Sequence, residues 1–530
     1  MTEETQLPAG AEEIGGDAPT ADQTKTSQFE SEYYSVISQT TADGRIMIGQ
    51  DIQIFPDREC KHLASPGTKA FETKDRRAAG EQFTLLCGRS SLPRVMLVGS
   101  YKNLRNPHIL QLVDAGIINW TPENQQRFAL IFEKPSGKKV LGSPEAQPLM
   151  LPEDRLVQAL IQPAVSVLSN LQSMGSAHGA IRLENLFLVG HDGLETIMLG
   201  ECLSSAASSW QPPLYEIAPR AAVKPPVGRG PGTIKDDLYA LGVCAVMMAR
   251  GKNVMMNKSH QQLVYDKIEQ GSYSAIIGEE RVPTGLAEFL RGVLNDDEGQ
   301  RWDIDDATRW LEGRRQTPKQ ARIVLKAARP LSFNGQKYWD LKSLAESFSE
   351  KIPEAVLEIE KGQFVSWLKR NFEDKTLKQR FDKIWEQEKT WPREKVVSCV
   401  CMALDPFGPV RFKGLATFPD GLGTALAVAI SNNQDVQIYA EMILQQLFST
   451  WLSQSLDEVP DGATLMSSLE KCRSALTQKM PGYGMERVLY MLNPEVTCLS
   501  PVLKNYFVLS LSSAGFTRDW YRGSVIGLYQ

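Results

Sequence analysis

The hydrophobic period of this chain changes near Leu151, and that change limits the folds open to it. Before it, short runs rich in branched and aromatic residues are divided by Gly, Pro and charge. They are Arg45-Ile46-Met47-Ile48, Asp51-Ile52-Gln53-Ile54-Phe55, Gln82-Phe83-Thr84-Leu85-Leu86-Cys87 and Phe128-Ala129-Leu130-Ile131-Phe132-Glu133. Runs of this kind read as strands. One helix is expected between the last two, over about residues 92–104. After the change, Leu156, Ala159, Leu160, Ala164, Leu168 and Leu171 recur at the spacing of a single helix face. Further helices are expected over 236–249, 286–294 and 304–311. A small β-rich part followed by a helical part is an α+β arrangement.

At 530 residues the chain exceeds what one core ordinarily organises, so several domains are expected. Its formal net charge of -5 is small for that length and gives no nucleic-acid footprint. Residues 1–32 set Glu3, Glu4, Glu12, Glu13, Asp17, Asp22 and Glu30 against Lys25 and nearly lack large apolar side chains. Such a segment cannot bury enough surface to offset its ordering entropy, and a disordered acidic tail is expected. It has neither the basic start nor the apolar stretch of a signal peptide. No apolar run approaches the roughly 20 residues a bilayer span requires, so a cytoplasmic location without a membrane span is expected. The 8 cysteines fit a reducing compartment better than a disulfide framework. Cys399 and Cys401 fall in Val396-Val397-Ser398-Cys399-Val400-Cys401-Met402, which reads as a strand, and no metal site is expected there.

Four segments then follow in order. His178-Gly179-Ala180-Ile181-Arg182-Leu183-Glu184-Asn185 resembles H-R-D-L-x-x-x-N, the catalytic loop of eukaryotic-type protein kinases. Tyr215-Glu216-Ile217-Ala218-Pro219-Arg220 is similar to the A-P-E that closes that family's activation segment. Asp237-Leu238-Tyr239-Ala240-Leu241-Gly242-Val243 resembles the D-x-W-S-L-G-V helix start. Leu294-Asn295-Asp296-Asp297-Glu298-Gly299-Gln300-Arg301 is similar to the late L-x-x-D-x-x-x-R. Together they cover about 33–313. The resemblance implies a bilobal protein-kinase-like domain there, with a small β-rich N-lobe and a helical C-lobe. A polar stretch with Gly and Pro over 312–320 marks its end. A mainly α-helical region is expected to follow, divided into 314–395 and a mixed α/β, mostly helical 396–530.

The chain departs from the family at the catalytic positions. Ala180 stands where the resemblance places the catalytic Asp, and a methyl group accepts no proton. The strand lysine should fall within 83–87, where there is none; Arg89 lies just beyond. Its glutamate partner on the N-lobe helix is also missing, because no Asp or Glu occurs between Gln82 and Val113. No G-x-G-x-x-G loop is present. The D-F-G motif aligns with Gly200-Glu201-Cys202, which replaces the magnesium-binding Asp with Gly200. Asn185 and the displaced Glu201 remain as candidates for nucleotide or cation binding, although a hard cation usually relies on carboxylates. Arg220 and Arg301 take the places of a family Glu–Arg pair and cannot bridge each other. His178, Asp237 and Leu241 match scaffold residues.

Phosphoryl transfer depends on positioning and charge neutralisation. Losing these groups together implies a catalytically inactive, kinase-like scaffold or regulatory protein without a cofactor. Its partners would be other proteins, such as an active kinase or a signalling complex. The alternative is an atypical kinase or a nucleotide-sensing protein that binds ATP and Mg²⁺ through displaced residues such as Glu201, Arg182 or Lys102. Ser204, Ser205, Ser208 and Ser209 are expected in a solvated loop, and the Pro- and Gly-rich stretch 224–232 is expected to be a loop. Further on, a hairpin is expected over 331–338 and helices around Phe364, Val365, Trp367, Leu368 and Leu377, Phe381, Ile384, Trp385. One long helix is expected over 425–451.

Overall fold

The computed structural model describes residues 37–493 except 79, 89, 144–145, 191–194, 256–257, 315–316, 319–324, 456–461 and 480–482, and beyond these 496–499, 505 and 507. The expected acidic tail and Arg89 lie outside the described residues. The fold is α+β, an antiparallel sheet followed by helices. Seven strands form the sheet: β1 (Ser38–Thr40), β2 (Ile46–Ile48), β3 (Ile52–Glu59), β4 (Thr68–Asp75), β5 (Gln82–Cys87), β6 (Leu112–Trp120) and β7 (Gln125–Glu133), in the order β1-β2-β3-β4-β5-β7-β6.

Register follows from the branched residues. Ile46 lies opposite Ile54 and Ile48 opposite Ile52, which gathers them on one face with Phe71, Ile118, Trp120 and Ile131. The other face carries Phe83, Leu85, Cys87, Phe128 and Leu130, and shares a core with Val95, Val98 and Tyr101 of helix α1 (Val95–Lys102). Strands β4 and β6 escaped the sequence reading. In β4 the solvent-facing positions are charged, with Lys69 paired to Glu123 and Glu72 to Arg58.

After β8 (Lys138–Lys139), helices α2 (Glu153–Leu156) and α3 (Gln162–Ser173) are joined by a π-helical turn over Val157–Ile161. Strands β9 (Leu186–Val189) and β10 (Thr196–Leu199) flank the site described below. The short α4 (Ala218–Ala221) precedes α5 (Ile234–Arg250), the post of the helical lobe. Thr233 and Asp236 cap its start reciprocally, and Gly251 stops it at a φ of 60°. Every residue from Asp237 to Met248 is buried, as a helix apolar on all sides requires. Around it lie α6 (His260–Gln270), α7 (Ser272–Ile277), α8 (Thr284–Val293) and α9 (Ile304–Leu311).

The C-terminal region opens with the expected hairpin, β11 (Lys326–Phe333) and β12 (Gln336–Asp340), and continues through α10 (Leu341–Glu350), α11 (Ile352–Glu360), α12 (Gln363–Asn371) and α13 (Lys375–Gln387). The run 396–402 is not a strand. It lies in helix α14 (Arg393–Leu404), whose residues from Val396 onward are all buried. A short apolar run inside a core has no period that separates strand from helix. The division expected at 395/396 falls inside this helix, and one apolar core spans both sides of it.

After β13 (Val410–Phe412) and β14 (Leu415–Thr417), the expected long helix is three: α15 (Leu422–Ser431), α16 (Gln437–Leu444) and α17 (Leu447–Ser455). Asn433 and Gln446 take left-handed φ values of 53° and 59° between them, which no continuous helix accommodates. Helices α18 (Gly462–Thr477) and α19 (Met485–Leu492) close the region. No helix among the described residues is long and apolar enough to cross a membrane.

The loop 224–232 is packed rather than exposed at its centre; Val227, Gly228, Arg229 and Gly230 are buried. The Lys224 and Ala416 backbones exchange two hydrogen bonds of 2.8 Å. Thr417 Oγ1 donates to the Gly228 carbonyl at 3.0 Å, and Thr424 Oγ1 to that of Val227 at 2.8 Å. Leu92 and Val227 belong to the C-terminal core, with Ala206 and Tyr265 packed against it. The C-terminal region therefore lies on the helical lobe as a continuation of its packing.

Candidate functional site: the interlobe cleft

Helix α3 delivers the chain to His178, which is buried on all sides. The backbone N–H groups of His178 and Gly179 donate to the two carboxylate oxygens of Asp237, at 2.6 and 2.8 Å. This is the scaffold role that the resemblance implied for Asp237. The Ala180 N–H donates to His178 Nδ1 at 3.2 Å, so the ring proton resides on Nε2, which donates to the Gly200 carbonyl at 3.1 Å. Burial drives the His178 pKa down to about 3 and pushes the Asp237 carboxyl up to about 7, against its two backbone hydrogen bonds.

The candidate cation ligands are occupied with structural work. Asn185 Nδ2 donates to the carbonyls of Ala180 and Glu201, at 3.0 and 2.9 Å. The Gly200 N–H donates to the Asn185 carbonyl at 2.8 Å. A Cβ at position 200 would come within 2.2 Å of Asn185 Oδ1 and 2.5 Å of its backbone oxygen, so this position holds no side chain at all. Glu201 folds back on its own turn, accepting from the Leu203 and Ser204 N–H groups and from Ser204 Oγ. Ser204 is consequently buried, and Ser208 is buried where its Oγ accepts from Arg220 Nη2 at 3.0 Å, contrary to the expectation of a solvated loop. Arg182 is buried and reaches Gln211 Oε1 at 3.4 Å; burial lowers its pKa. Lys102 pairs with Asp114 at 2.7 Å, on α1 and away from these groups.

One cleft residue escaped the sequence reading. Arg94, just before α1, sends Nη1 to the carbonyls of Ala177, His178 and Cys202 at 2.9, 3.2 and 3.2 Å, and Nη2 to Ser176 Oγ. Its own N–H donates to the Leu203 carbonyl. It thereby ties the N-lobe helix to the 176–180 loop and to the 201–203 segment at once. Its partners are mainly carbonyls, which leave no mark in a sequence.

The family's lysine–glutamate pair would lie between β5 and α1. Leu85, Cys87, Val98 and Tyr101 fill that space as core, and the Tyr101 hydroxyl donates to the Leu110 carbonyl. Between Ser65, Pro66, Ala180, Glu201 and Trp210 the cleft retains a cavity of about 10 Å³, the room of a single water. A second cavity of about 250 Å³ lies beside Lys139, Arg182, Glu184 and Asn185. Lys139 already donates to the Ala64 carbonyl, and burial, with Arg182 alongside, lowers its pKa. The position that the resemblance assigns to a magnesium ligand carries no side chain, and beside the larger cavity one carboxylate, Glu184, stands with Lys139 and Arg182. Among the described residues no group of three or more His, Cys, Asp or Glu is placed to hold a metal ion.

Arg220 and Arg301 do not bridge each other, as expected, but they share an anion. Arg301 Nη1 lies 2.9 Å from Asp236 Oδ1, and Arg220 Nε lies 3.9 Å from Asp236 Oδ2 and 2.9 Å from Glu216 Oε2. Burial works to raise the Asp236 carboxyl, yet Arg220 and Arg301 hold it below the usual range. Arg229 Nη1 approaches Glu216 Oε1 at 3.7 Å. The C-terminal region adds Asp420, packed against Gly230, whose charge acts on Arg220. Sequence reading missed Asp236 and Glu216 because the tie moved to neighbouring positions.

No family model and no curated protein matches this chain. Among solved structures, the crystal structure of the Rad53 kinase domain and SCD2 aligns at a TM-score of 0.36 and 14% identity, covering 50% of this chain and 89% of that one. A likeness at that level bears on neither activity nor partners.

Proposed function

We propose that this chain is a catalytically inactive, kinase-like scaffold or regulatory protein that acts by binding other proteins. The observation that carries the reading is the closure at Gly200. The place of a metal-binding side chain is filled by Asn185, and Arg94 pins the two lobes across the same cleft. Catalysis of phosphoryl transfer is almost wholly charge placement. Here Ala180 offers no base, β5 no lysine, α1 no carboxylate and position 200 no metal ligand. Asn185 and Glu201, which remain, hydrogen-bond within the fold. Tying the C-terminal region to 224–230 further supports a rigid platform.

The test is a thermal-shift titration of the purified chain with Mg–ATP, paired with an autophosphorylation assay. The expected result is no shift at millimolar nucleotide and no incorporated phosphate. Dose-dependent stabilisation with turnover would overturn the reading, and stabilisation without turnover would replace it with a nucleotide sensor.

A further inference from the structure

Phe507 lies 194 positions past Gly313, yet it is buried in the core of the first two lobes and not in that of the C-terminal region. Its ring stacks on Phe128 of β7 at 5.7 Å and 24°. Its N–H donates to Gln126 Oε1 at 3.2 Å, and the Asn505 carbonyl accepts from the Gln126 N–H at 2.7 Å.

The strand geometry explains why this place is open. The Lys134 N–H bonds to Glu81 on the β5 flank of β7, and the Glu133 N–H bonds to Gln111 on the β6 flank. Successive residues of a strand face opposite flanks, so the even-numbered residues of β7 face β5. The β5 ladder ends with Leu86 opposite Ala129, where the chain leaves towards α1. The Gln126 N–H is therefore a donor on a flank that β5 has vacated, beside an apolar face floored by Phe128. The Asn505 carbonyl and the Phe507 ring satisfy both.

We propose that the vacated flank of β7 is a peptide-binding slot, and that the chain's own Asn505 and Phe507 fill it as an exchangeable strap. The ligand class is a peptide with a backbone acceptor two residues before an aromatic side chain. The occupant is supplied in cis. Leu499 is held by its N–H to Tyr490 at the edge of the C-terminal core, and six residues can span at most about 20 Å. The strap thus joins the last element of the chain to its first sheet. Nothing covalent holds it there, and a short tether competes through its high local concentration.

The full chain carrying Phe507→Asp, which ejects the strap, is titrated with a fluorescent peptide of residues 499–512. It should bind the peptide about tenfold or more tightly than the wild-type chain, whose slot is filled. The same peptide with Phe507→Asp should not bind, and adding Gln126→Ala to the variant chain should weaken binding. Hydrogen exchange separates local release from misfolding. The Gln126 amide should exchange faster in the variant and regain protection with peptide, while Leu130 stays protected throughout. Equal binding by both chains, no binding to the variant, or indifference to the peptide substitution would each overturn the slot. A wild-type dimer that becomes monomeric on Phe507→Asp would overturn the assignment in cis.

Discussion

At the scale of single residues, the cleft is held by groups that a kinase-like reading treats as leftovers. Gly200→Ala sets a methyl within 2.2 Å of Asn185 Oδ1 and 2.5 Å of its backbone oxygen. Overpacking of this kind costs about 1–3 kcal/mol, a fall in melting temperature of several degrees, and Gly200→Asp should cost more. Adding Asn185→Ala should rescue Gly200→Ala only in part, because the backbone oxygen stays; full rescue in a thermal melt would refute the geometry. His178 makes a second prediction. Its folded pKa is about 3, so between that and its usual 6.5 the unfolded chain binds a proton that the folded chain does not. Stability then falls as pH drops through the window, by up to about 1.4 kcal/mol per unit. His178→Gln lacks that proton uptake, so the wild-type advantage over it in urea unfolding should shrink steadily from pH 6.5 to 4.5. Asp237 drifts in the opposite sense, losing stability as pH rises towards 7, but it is present in both proteins.

At the scale of elements, legibility tracked run length and punctuation. The readable strands and helices were β2, β3, β5, β7 and α1, and then α3, α5, α8 and α9. The seven-residue run 396–402 of α14 is too short and too uniformly apolar for either period to leave a trace, whereas the longer α5 opens on the capping residues Thr233 and Asp236. Asn433 and Gln446 broke the expected helix without a Gly or Pro to announce it. In the cleft, the departures of Ala180 and Gly200 from the motifs they resemble could be read from residue type alone. What replaced them could not. Arg94 works through carbonyls, Glu201 through its own turn, and Asp236 by standing between two arginines whose spacing in sequence gives no hint of a shared partner.

At the scale of the whole molecule, the helical lobe and the C-terminal region behave as one body. Cutting after residue 313 would uncover Leu92, Ala206, Val227 and Tyr265 and remove Asp420 from a site where Arg220, Arg229 and Arg301 meet two other carboxylates. Exposed apolar surface beside under-neutralised buried charge predicts aggregation. Residues 1–313 alone should elute in the void volume on size exclusion, while the full chain does not. A monodisperse fragment that melts within a few degrees of the full chain would refute the single-body reading. The hydrogen bond from Thr417 to Gly228 spans 189 positions of sequence. A ribosome adding about 5–20 residues per second makes Gly228 some 10–40 s before its partner. For that interval the nascent helical lobe is finished in sequence but incomplete on one side, which is a window in which a chaperone would find it.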